Sequence, residues 1–252
     1  MSTELRRLVE RLRAECPWDR AQDHRSMRPY LLEETYEVID ALDAGDAARL
    51  RDELGDLLFQ VYFHARLAEE RGEFDIQQVA DAIVAKMVER HPHVFAGTDD
   101  DPSVAGWEAR KAAARRGGSR FDSVPRALPA LLRAHRVGEK VAHVGFDWPD
   151  LDGVLAKVDE ERRELAEALA GGDRAEIEHE YGDLLLACAN LGRFLGIPGE
   201  DALREANRRF EDRFRIVERL AAEAGVRLEE AGLDRLDAWW QEAKALSLKP
   251  EA

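Results

Sequence analysis

Apolar residues recur at three- and four-residue intervals along almost the whole chain. Leu5, Leu8, Val9 and Leu12 share one helical face, and Pro17 stops that stripe within Cys16-Pro17-Trp18-Asp19. Leu54, Leu57, Leu58, Val61, Ala65 and Ala68 repeat the pattern as far as Gly72. Further helices are predicted over Ile76 to Glu89, from about Pro129 to Ala142, through Phe210 and Phe214, and around Trp240 and Lys244. Asp99-Asp100-Asp101-Pro102 predicts a turn that opens a helix with Trp107 and Lys111. No stretch reads as a strand, so the expected fold is all-α: two tandem helical bundles, for the following reason.

The polar positions carry a second pattern, and it occurs twice. Glu33-Glu34-x-x-Glu37 is followed by Glu53-x-x-Asp56, and Glu160-Glu161-x-x-Glu164 by Glu180-x-x-Asp183. One offset relates the copies: 160 − 33, 164 − 37, 180 − 53 and 183 − 56 all equal 127. Leu42/Leu169, Gly45/Gly172, Asp46/Asp173 and Gly55/Gly182 keep the same offset. Phe146-Asp147-Trp148-Pro149 precedes the second copy as Cys16-Pro17-Trp18-Asp19 precedes the first. Lys86-Met87-x-x-Arg90 is echoed by Arg209-Phe210-x-x-Arg213, and Trp107-x-x-x-Lys111 by Trp240-x-x-x-Lys244. The linker-like run Arg115-Arg116-Gly117-Gly118-Ser119 separates the copies, which puts one domain at residues 1–116 and the other at 120–252.

Arithmetic gives each copy its shape. The midpoint of Glu34 and Asp56, and of Glu37 and Glu53, is position 45, a glycine followed by Asp46. The equivalent midpoints of the second copy fall at Gly172, followed by Asp173. Glycine past one helix and Asp capping the next is a helical-hairpin signal, and Asp173-Arg174-Ala175-Glu176 fits a capping box. Folding at the glycine brings Glu37 opposite Glu53 and Glu34 opposite Asp56, with Glu33 beside them; the second hairpin does the same with Glu160 as the fifth acid. Like charges about 4 Å apart repel by roughly 4 kcal/mol at an effective dielectric near 20. Such a cluster holds protons or cations. An all-oxygen set suits Mg²⁺, with Mn²⁺ as the alternative.

Composition narrows the partners. With 37 basic and 52 acidic residues the net charge is −15, which speaks against nucleic-acid backbones and anionic membranes. No apolar run approaches the roughly 18 to 20 residues that span a bilayer. Met1 to Arg7 reads as a helical start and not a signal peptide, and Cys16 and Cys188 lack metal-type spacing, so a reduced, cytoplasmic setting is expected. A cation held by carboxylates takes further oxygens from phosphates, whose remaining charge calls for Lys or Arg. Lys157, at i−4 from Glu161, the pair Arg209 and Arg213 on one helix face, and Lys244 are the candidates. Trp107 and Trp240 are read either as core packing or as faces for a nucleobase.

These residues resemble the all-α nucleoside triphosphate pyrophosphohydrolases, and the two-copy layout resembles the two-domain MazG proteins of bacteria. The likeness covers both hairpins, Cys16-Pro17-Trp18-Asp19, Gln22, His24, Tyr30 to Glu37, Glu53 to Gln60, His91-Pro92-His93-Val94-Phe95 and Gly145-Phe146-Asp147-Trp148-Pro149. It implies Mg²⁺-dependent hydrolysis of NTPs and dNTPs to monophosphate and pyrophosphate, broad base tolerance and a homodimer. It also implies the metal ligands Glu161, Glu164, Glu180 and Asp183, or Glu34, Glu37, Glu53 and Asp56. Lys157, Arg209, Arg213 and Trp240 match nucleotide-contacting positions of the family, with Arg at 209 where Lys is common. Glu160, or Glu33 in the first copy, is expected to deprotonate the attacking water. The residue 127 before Lys157 is Tyr30, so the C-terminal site is expected to carry turnover.

Three rivals are weighed. A di-iron protein needs a Glu-x-x-His on two helices; Glu176-x-x-His179 has Arg49 and Asp52 in the first copy, so the pattern does not recur. A nucleotide sensor would bind without product, and a dUTP- or phosphoribosyl-ATP-specific hydrolase would be narrower than the two-copy layout suggests. For His24, His91 and His93 the expected use is structural hydrogen bonding.

Overall fold

A computed structural model describes residues 3–96 and 118–247. The turn at Asp99 and the helix with Trp107 and Lys111 lie outside the described residues. The described residues are helical with no strand, and the chain divides into two compact units, Met1–Arg116 and Gly117–Ala252.

The first unit contains α1 (Thr3–Glu15), α2 (Pro17–Ala21), α3 (Arg28–Ala44), α4 (Ala47–Glu69), α5 (Ile76–Arg90) and α6 (Pro92–Phe95). Pro17 both ends α1 and starts α2, because a missing N–H and a fixed φ suit the first helical position. Helix α1 lies on α4 through Val9, Tyr62, Phe63, Ala65 and Leu67, with Met27 and Ile76 closing the cluster. Arg13 ties three helices together. Its guanidinium lies 5.6 Å from the Phe63 ring centre, pairs with Glu70 at 2.7 Å and donates to the carbonyls of Asp19 and Gln22.

The second unit contains α7 (Ala130–Ala142), α8 (Leu151–Gly171), α9 (Arg174–Phe194), α10 (Gly199–Glu223) and α11 (Leu233–Ser247), with short 3-10 turns at Arg120–Ser123 and Leu228–Glu230. Helix α9 packs against both α8 and α7, and α10 against α11. Gly138 lets α7 approach α9: a Cβ there would stand 2.5 Å from Asn190 Oδ1 and 2.8 Å from Arg193 Nε. The stretch around Trp148 does not repeat α2. It forms no helix, and Asp147 instead holds both terminal nitrogens of Arg193, at 2.9 and 2.6 Å, which anchors the approach to α8 on α9.

Each hairpin turns as its sequence predicts. Gly45 at φ 66° and Gly172 at φ 78° occupy the left-handed region that a side chain disfavours. Asp46 accepts from the N–H groups of Ala48 and Arg49. Asp173 differs from the expected capping box. Its carboxylate accepts from Ala175 N–H at 2.8 Å, one residue short of Glu176, so the reciprocal bond of a box does not form.

Candidate metal and nucleotide site

Because both helices of a hairpin present one face inward, glutamates from each converge. One carboxylate oxygen from each of Glu34, Glu37 and Glu53 lies within 4.8 Å of the others, and the same holds for Glu161, Glu164 and Glu180. The two aspartates lie outside these closest sets. Asp56 still acts on Glu34 electrostatically, while Asp183 Oδ2 stands 3.4 Å from His179 Nε2. Three convergent carboxylates and no sulfur or nitrogen make a donor set that fits a hard divalent cation and leaves room for water and phosphate oxygen.

The electrostatics of the two sets differ. Glu34 keeps its proton above the usual carboxylate range, first because burial disfavours the charge, then because Asp56, Glu37 and Glu33 repel it. In the second set Glu161 is 5% exposed, one of three buried polar or charged residues among those described. A carboxylate so buried needs a partner. Lys157 supplies it, with Nζ 2.6 Å from Glu161 and 2.9 Å from Glu160. Those two bonds, Glu161 first, hold the Lys157 ammonium far above its ordinary pKa.

The first set has no lysine there. Tyr30 stands in its place and packs edge-on to Trp18, with ring centres 5.6 Å apart. Its cation comes from the opposite helix: Arg49 Nε is 3.2 Å from Glu53. The position 127 beyond Arg49 is Glu176, so the copies place their basic residue on different helices. Sequence reasoning found Lys157 and missed Arg49, whose i, i+4 spacing to Glu53 was its only signal.

The remaining candidates sit on α10 and α11. Arg209 pairs with Glu205 at 3.2 Å, and Arg213 has a buried Nε with no hydrogen-bond partner. The Trp240 ring packs on Phe210 with centres 5.0 Å apart, and Phe210 stacks on Phe214 at 6.2 Å. Lys244 lies in the last turn of α11. Among the described residues, neither arginine nor Lys244 is ion-paired to the glutamate set. Glu33 and Glu160 are both exposed on the rims of their clusters.

Comparisons with known proteins point one way. The MazG nucleotide pyrophosphohydrolase domain matches residues 22–95 and 151–217, so each match contains one glutamate hairpin. The chain is 44% identical over 245 residues to the nucleoside triphosphate pyrophosphohydrolase/pyrophosphatase MazG of Thermotoga maritima, covering 96% of this chain and 94% of that protein. It is 45% identical over 239 residues to the nucleoside triphosphate pyrophosphohydrolase of Escherichia coli K12, covering 91% and 90%. A Bacillus subtilis protein, YabN, is 40% identical over 238 residues, which span 91% of this chain but 48% of YabN.

Proposed function

The chain belongs to the MazG nucleotide pyrophosphohydrolase family, and from that premise we propose that it hydrolyses nucleoside triphosphates to monophosphate and pyrophosphate at its glutamate hairpins. The observation that carries the site is the convergence of Glu161, Glu164 and Glu180 around one point, repeated by Glu34, Glu37 and Glu53. These six, joined by Asp183 and Asp56, would hold Mg²⁺, or Mn²⁺ in its place. The bound cation supplies Lewis acidity toward the phosphate oxygens and neutralises part of their charge.

The protein's own groups do the rest. Lys157 stands at the rim of the C-terminal set and can exchange its bond to Glu160 for one to a phosphate oxygen. Arg209, Arg213 and Lys244 bring further positive charge to the polyphosphate, and Trp240, backed by Phe210, offers a face to the base. Glu160, or Glu33 in the first copy, accepts a proton from the attacking water. The water oxygen bonds to phosphorus, the anhydride P–O bond between the α and β phosphates breaks, and pyrophosphate leaves.

The reading extends to broad base tolerance and cytoplasmic action, without nucleic-acid or membrane partners. No helix among the described residues is long and apolar enough to cross a membrane. It includes a homodimer, supported by exposed apolar residues along the hairpins, among them Leu32, Leu54, Leu169 and Tyr181. The C-terminal site carries turnover, because there a lysine touches the buried glutamate. Glu161→Ala is expected to reduce pyrophosphate release from a panel of NTPs and dNTPs by at least about a hundredfold, and Glu34→Ala by much less. Activity lost only with Glu34→Ala would reverse the ranking of the sites, and phosphate in place of pyrophosphate would refute the reaction.

A further inference from the structure

The end of the first hairpin remote from Gly45 carries a contact that the second hairpin does not. His24, four residues before α3, places its Nδ1 2.8 Å from Nδ1 of His64 on α4, with the rings stacked at 5.1 Å and 3° apart. The Nε2 of His64 is buried without a hydrogen-bond partner. The positions 127 further on are Leu151 and Leu191, so the second copy has no imidazole at either position.

This contact constrains protons. A hydrogen bond between two Nδ1 atoms needs one donor and one acceptor, so at least one ring must be neutral. With both rings protonated, two N–H groups face each other at hydrogen-bond distance and repel. The Asp23 carboxylate, the acid next to His24 in the chain, accepts from the N–H groups of Arg25 and Ser26, and Arg13, itself a cation, is tied to Glu70 and to the carbonyls of Asp19 and Gln22. Burial and the neighbouring His24 hold His64 toward its neutral form.

The pair also sits where it matters for the site. Between His24 and α3 lies Met27, 2% exposed and part of the core, so the segment is pinned at two points. His64 is eight residues past Asp56 on α4, about two turns or roughly 12 Å along the axis. We propose that His24 and His64 are a positioning pair for the N-terminal site: while one ring is neutral they clasp the start of α3 to α4 and keep Glu34 and Glu37 opposite Glu53, and when both are protonated the clasp opens. The C-terminal site, with leucines in place of the histidines, lacks this dependence. The inference rests on reading Glu34, Glu37 and Glu53 as a metal-binding set.

The test uses the full chain carrying Glu161→Gln, Glu164→Gln and Glu180→Gln, so that the C-terminal glutamate set is removed and the N-terminal one is intact. Amide hydrogen exchange over residues 24–37, corrected for its intrinsic pH dependence, is compared at about pH 7.5 and about pH 5.5. Exchange should rise about tenfold or more on acidification, and stay within about twofold in the His24→Leu/His64→Leu variant that installs the second copy's pair. Residues 151–164 should show no such rise in either protein. Binding of Mn²⁺ alone should weaken more steeply with acid when the histidines are present; carboxylate titration is common to both proteins and cancels. Flat exchange with Mn²⁺ bound overturns the clasp, whereas the expected exchange without Mn²⁺ at either pH overturns the metal reading and the positioning role with it. Histidine NMR of the unaltered chain needs no variant: both rings protonated while residues 24–37 stay protected also overturns the clasp.

Discussion

A glutamate among glutamates is strained until something positive arrives, and Glu34 makes that strain measurable. Its pKa is raised in the fold, chiefly by burial and then by Asp56 and Glu37. The folded chain therefore binds this proton more tightly than the unfolded chain. At neutral pH the ionised group subtracts from stability; the penalty shrinks as pH falls through the raised value and is gone below the ordinary value of 4.5. Without metal, Glu34→Gln should accordingly stabilise the first unit at pH 7, by under about 1 kcal/mol because the group is partly exposed and screened. Urea unfolding with a chelator at descending pH should show that gain vanish, and with Mg²⁺ present the variant should be the less stable protein. The site's acids were legible because their spacing is symmetric about a glycine. Arg49 and the His24–His64 clasp were not, since one looked like an ordinary helix surface pair and the other joins residues forty positions apart.

At the scale of elements, the two hairpins use glycine in two unlike ways. Gly172 must adopt φ 78° to end α8 and start the turn, so a Cβ there is strained whatever the space. Gly55 and Gly182 are helical, with open space where a Cβ would sit. Gly172→Ala should destabilise the second unit by about 1 kcal/mol, and Gly55→Ala should stabilise the first by roughly 0.5–1 kcal/mol through the unfolded chain's lost freedom. Thermal unfolding distinguishes the signs. Helix periodicity and the turn glycines were enough to place these elements within a residue or two. The segment before α8 was not readable in that way: Phe146-Asp147-Trp148-Pro149 resembles the earlier Trp and Pro motif in composition, yet Pro149 follows the tryptophan where Pro17 precedes it. A proline can open a helix but cannot lie inside one, and the bidentate Asp147–Arg193 contact takes over the anchoring.

For the whole molecule, duplication turns one local problem into a charge balance. The chain carries −15, and its six convergent glutamates are drawn together in the fold but scattered when it unfolds. A divalent cation held by these sets would bind the folded units and hardly the unfolded chain, and at a hundred times its dissociation constant it should stabilise a unit by about 2.7 kcal/mol. Monovalent salt at equal ionic strength screens the same repulsion without bridging carboxylates, so it should give only a fraction of that gain. The two sets also separate by substitution. Glu164→Gln should remove the Mg²⁺-induced protection of residues 151–194 from hydrogen exchange and leave that of residues 28–69 intact, and Glu37→Gln should do the reverse. Equal loss in both units from either change would refute one cation-binding set per unit.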